Sequence, residues 1–146
     1  MAIPDEFLYE YAVVRYVPRV DREEFINIGL LMMCKRRKWM KGEICLNEER
    51  IRAFDPNANI ENLQSQARIF TRNDVPSGDL PIEERYRWLT AVKSAVLQVS
   101  PSHPGMVKQQ GSTPGEKPDE DYKFSEGGVE KLEAEFERLL KMMVKC

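Results

Sequence analysis

The run from Leu8 to Val17, Leu-Tyr-Glu-Tyr-Ala-Val-Val-Arg-Tyr-Val, constrains the fold of this chain more than any other stretch. Its β-branched and aromatic side chains suit a pleated strand, and Pro18 ends it. Both alternating sets are mostly apolar, so the strand has to be covered on both faces. Residues 25–34, Phe-Ile-Asn-Ile-Gly-Leu-Leu-Met-Met-Cys, read as a second strand, with Gly29 marking a bulge. Lys35-Arg36-Arg37-Lys38 is then a hairpin tip, and Trp39 to Leu46 returns as a third strand. The first half predicts an antiparallel meander.

Helical signals follow. Asn47 is placed to cap a short helix carrying Ile51 and Phe54, closed by Asp55-Pro56. Asn59 caps a second, with Ile60, Leu63, Ala67 and Phe70 at helical spacing. Pro81 suits the first position of a third, whose face carries Ile82, Tyr86, Leu89 and Val92. Ala95 to Val99 predicts a fourth strand. Residues 100–128 are rich in proline and glycine and almost free of apolar side chains, so a flexible loop is expected there. A strong amphipathic helix spans about 129–144, with Val129, Leu132, Phe136, Leu139 and Met143 on a stripe that must be buried across the sheet. The expectation is a single α+β domain over residues 1–146: a three- or four-stranded antiparallel meander packed against several helices.

Composition narrows the chemistry. No apolar run approaches the roughly 20 residues needed to span a bilayer. The N-terminus lacks the basic and apolar regions of a signal peptide, so a cytoplasmic location with no membrane partner is expected. Cys34, Cys45 and Cys146 form no CxxC pair and fit reduced thiols in a reducing compartment. One histidine, His103, cannot build a zinc site with cysteines scattered through strands, and it sits in the expected loop, where catalytic geometry is poorly held. There is no P-loop, no GxGxxG and no nucleophile elbow. No metal and no cofactor are expected, and no catalytic residue stands out.

Two clusters remain. Lys35, Arg36, Arg37 and Lys38 beside Trp39 could grip phosphates and stack a base. They equally suit an exposed turn whose charges protect a sheet edge. A net charge of −2 makes the basic footprint thin, which weighs against nucleic acid as a partner. The second cluster is Arg15, Arg22, Glu24 and Asn27. Arg15 shares a strand face with Val13 and Val17, so its guanidinium needs a carboxylate, and Glu24 is the nearest candidate. Asn27 interrupts an apolar strand, where an amide has to bond to backbone or to a ligand. The set is either a polar clamp fixing the turn to the sheet or a small anion or peptide site.

The segment from Tyr11 to Met32 carries a family likeness. Tyr11, Val13, Arg15, Tyr16, Val17 and Pro18, then Arg22, Glu24, Asn27 and Gly29, resemble the signature Y-x-V-x-R-Y-V-P followed by R-x-E-x-x-N-x-G. This is similar to the bacterial family known as domain of unknown function 3037. Leu97-Gln98-Val99-Ser100-Pro101 and the terminal helix look similar to it as well, whereas residues 106–127 are longer than the family's loop. The resemblance implies a small α+β domain without an established activity, encoded near HipA-like kinases. The leading expectation is therefore a non-catalytic interaction or accessory module that docks on a larger protein, such as a HipA-like kinase. A nucleic-acid-associated protein using the basic hairpin is the alternative, and an enzyme using Arg15 and Glu24 is the third.

Overall fold

The computed structural model describes residues 6–71, 80–91, 94, 96–108 and 127–145. Strand β1 (Glu6–Tyr16) lies inside an antiparallel sheet. On one side it pairs with β2 (Ile26–Cys34), which pairs in turn with β3 (Trp39–Ile44). On the other side two strands share its length. Strand β4 (Leu97–Val99) runs beside Val14–Tyr16, and β5 (His103–Lys108) runs beside Glu6–Tyr11. The described helices are α1 (Glu48–Phe54), α2 (Ile60–Ala67), α3 (Ile82–Ala91) and α4 (Gly127–Met143). The fold is α+β, with five strands among the described residues where the sequence predicts three or four.

The two apolar faces of β1 meet two different helical layers. Val14 and Tyr16, with Ile26, Ile28, Leu31 and Met33 of β2, pack against α1, α2 and α3. Tyr9 and Val13, with Leu30, Met32 and Cys34, pack under α4 through Leu132, Phe136, Leu139 and Leu140. Each such side chain, fully buried, contributes roughly 1.5–3 kcal/mol relative to exposure. The stripe expected on the terminal helix is thus the cover for the second sheet face.

Local signals place the helices. Asn47 Oδ1 accepts from the Arg50 amide at 3.2 Å and Asn59 Oδ1 from the Asn62 amide at 3.0 Å, so both predicted caps satisfy a first-turn donor. Tyr16 reaches from β1 and donates its hydroxyl to Asp55, just past α1, at 2.6 Å. Opposite the step from Val14 to Arg15, β2 spends two residues, since Val14 faces Gly29 and Arg15 faces Asn27. This is the bulge that Gly29 announced. At the other rim, Gly42 of β3 lies so near the 3-10 turn at Arg68–Phe70 that an added Cβ would stand 2.5 Å from the Phe70 carbonyl oxygen.

The loop expected over 100–128 begins as structure. Ser100 is buried and bridges β4 to β5: its amide donates to the Val13 carbonyl at 2.8 Å, and its hydroxyl accepts from the Val13 amide at 2.9 Å. Then β5 pairs with β1 over six residues. Pro104 and Gly105 hide this strand from a local reading, and Val107 is its one buried side chain among those described. Gly105 serves the packing, because a side chain there would strike the Tyr9 ring. The remainder of the expected loop, residues 109–126, lies outside the described residues. No described helix is long and apolar enough to cross a membrane.

Candidate functional site

The sheet register aligns three polar residues across the face that carries α4. Arg15 on β1 stands opposite Asn27 on β2 and opposite Gln98 on β4. Arg15 does not pair with Glu24, contrary to the sequence expectation. The chain leaves the short 3-10 turn at Val20–Arg22 through Glu23, whose φ of 54° is left-handed. The side chain that returns over Arg15 is Phe25, with the guanidinium carbon 4.2 Å from the ring centroid. Glu24 instead meets Arg22 at 3.2 Å on an exposed flank. Such a pair contributes about 0.2–1 kcal/mol at most. Arg19 and Asp21 form a second exposed pair at 2.8 Å on the same turn.

Arg15 is half-buried, and its Nε is fully buried without a hydrogen-bond partner. The neighbouring Asn27 Oδ1 is in the same state. Among the described residues no carboxylate lies within ion-pair reach of Arg15. Asn27 nonetheless has a structural task, since its Nδ2 donates to the Met143 carbonyl at 3.1 Å. Arg50 of α1 donates to the neighbouring Val144 carbonyl. The last carbonyls of a helix have no partner within it, and cationic donors suit that end. The turn-to-sheet clamp expected from Arg15 and Glu24 is not formed; Asn27, with Arg50, instead ties the end of α4.

The basic hairpin divides into an exposed tip and an inward-facing aromatic. Lys38 takes a φ of 51° at the tip, and Lys35 meets Glu83 of α3 at 3.3 Å. Trp39 turns inward. Its indole N–H donates to Glu133 Oε1 at 3.3 Å, and its ring stands edge-on to Phe136 with centroids 6.4 Å apart. Lys41 bonds the other oxygen of Glu133 at 2.6 Å, and that hydrogen bond holds the Lys41 ammonium above its ordinary pKa. Trp39 therefore anchors α4. Arg36 and Lys38 are exposed.

The tyrosine beside β5 makes a parallel tie. Tyr9 donates its hydroxyl to Glu135 Oε2 at 2.9 Å, and burial followed by that bond pushes its pKa well up. Glu135 is drawn below the usual carboxylate range, first by Arg138 and then by Tyr9, against the opposing effect of burial. Among the described residues, no group of three or more His, Cys, Asp or Glu side chains converges as a metal site would require.

Sequence reasoning missed Phe25, Gln98, Glu133 and Glu135. Phe25 had a signal: it lies two residues before Asn27 in one strand run and so shares its face. The glutamates had none, because their partners are about a hundred residues away.

No curated protein matches the chain, and no solved structure does. One family does match, described as a protein of unknown function (DUF3037), over residues 11–114. The match contains Arg15, Phe25, Asn27 and Gln98 but stops before α4, so the likeness expected for the terminal helix is not part of it. On a match covering most of its length, the chain belongs to the DUF3037 family.

Proposed function

We propose that this protein is a non-catalytic interaction module that docks onto a larger protein through the end of the sheet where Arg15 lies on Phe25. The observation that carries this reading is the stack itself. Phe25 is 45 % exposed and sits against a half-buried arginine. Aromatic residues and arginine are the types that dominate binding energy at protein interfaces. The accessory role that accompanies the DUF3037 likeness makes a HipA-like kinase the first partner to try.

The test is affinity capture from the native host with the parent chain and with Phe25→Ala, followed by direct binding of the purified partner. A stoichiometric protein held by the parent and at least about tenfold weaker on Phe25→Ala, with an unchanged melting temperature, is expected. A partner that binds both chains equally would overturn the reading, as would capture of nucleic acid alone.

A further inference from the structure

We infer that the Arg15–Phe25 stack is a receptor for a carboxylate, and that the partner surface it meets is an acidic side chain in a peptide segment. This deepens the proposed interaction role and rests on it. The inference begins with charge. The other two cations of the adjoining turn are neutralised locally, Arg19 by Asp21 and Arg22 by Glu24. Arg15 has no described carboxylate partner, yet it is the more buried cation, and a half-buried charge without a counter-charge is costly. Among the described residues one positive charge is thus left uncompensated, and it matches one monoanionic carboxylate better than a phosphate dianion.

Geometry gives the rest. The Phe25 ring occupies one face of the guanidinium, and with Nε buried the terminal in-plane N–H donors are the available chemistry. Those donors form a planar fork that fits the two oxygens of a carboxylate. The buried Nε lacks an acceptor, while the side chain as a whole keeps some exposure. Asn27 and Gln98 flank it in register on the two neighbouring strands, so among the described residues it is held between polar groups and not against a competing carboxylate.

The purified full-length chain is titrated with sodium acetate up to about 100 mM, against sodium chloride at equal ionic strength, while the arginine Nε–H signals are followed by NMR. Arg15 is expected to shift saturably with a dissociation constant in the low millimolar range, about −4 kcal/mol. Other arginines should follow chloride. An Arg15 signal that ignores acetate, or all arginines moving alike, would overturn the receptor. An Arg15 Nε–H already bonded internally to Asn27 would do the same. In the partner assay, Arg15→Gln should weaken binding at least about tenfold, and Arg15→Lys should restore only part of it, lacking the fork. Equal partner binding by Arg15→Gln, with binding lost on Phe25→Ala, overturns the carboxylate receptor and leaves the interaction role standing.

Discussion

Replacing Gly42 by alanine adds one methyl group to the rim of the sheet and should destabilise the protein measurably. The new Cβ would stand 2.5 Å from the Phe70 carbonyl oxygen and 2.8 Å from Leu31 Cδ2. Ordinary contact begins at 3.4 Å, so a gap of 0.9 Å (3.4 less 2.5) is missing on the carbonyl side. The carbonyl is backbone and cannot rotate away, and Leu31 is completely buried, so neither neighbour yields cheaply. Overpacking of this kind costs roughly 1–3 kcal/mol, and both obstacles place Gly42 in the upper part of that range. Loss of glycine's unfolded-state freedom returns about 0.4–1 kcal/mol. The net expectation is about 2 kcal/mol, read as a lower denaturation midpoint at constant slope in urea. For a chain of this size that corresponds to a fall of roughly 4–8 °C in melting temperature. A Gly42→Ala protein within about 0.5 kcal/mol of the parent would show that β3 does not lie against the Phe70 turn.

Asn27→Ala should cost about 1–2 kcal/mol by stranding the Met143 carbonyl, and hydrogen exchange should speed up in the last turn of α4 while β1 stays protected. Protection lost evenly everywhere would contradict a local tie. Burial, assisted in Tyr16 by the bond to Asp55, pushes Tyr16 and Tyr86 up to about 12 from 10.0. The stability they contribute is therefore complete below pH 10 and drains away as pH rises through about 12. Ultraviolet titration of the folded chain should show both ionising late, and ordinary titration near pH 10 would refute their burial. At physiological salt the chain should bind nucleic acid no more tightly than about 10⁻⁴–10⁻⁶ M. A submicromolar affinity abolished by changing Lys35, Arg36, Arg37 and Lys38 to alanine would restore the basic hairpin as a grip.

What the sequence reveals of this fold is what depends on near neighbours. The two-faced apolar pattern of β1, the asparagine caps of α1 and α2 and the Gly29 bulge follow from side chains a few residues apart, and the structure has all of them. Strand β5 stayed hidden because its evidence lies in its partner: Gly105 makes sense only under the Tyr9 ring. The candidate site divides the same way. The polar character of Arg15 and Asn27 inside apolar strands is visible locally. Their partners are not, because the left-handed Glu23 decides whether Glu24 or Phe25 comes back over β1, and no spacing rule predicts that.

The placement of α4 has a consequence for how the protein is made. Its contacts reach back across 126 residues to Tyr9 and 116 to Asn27. A ribosome synthesises β1, β2 and β5 before Leu132 to Val144. Until α4 packs, Val13, Leu30, Met32 and Val107 lack the helix that buries their side of the sheet. At roughly 5–20 residues per second the exposure lasts seconds, long enough for chaperone capture or for association with a neighbouring nascent chain. Yield in the cell should therefore respond to translation speed through the segment preceding α4 and to holdase supply, even where the finished protein is stable.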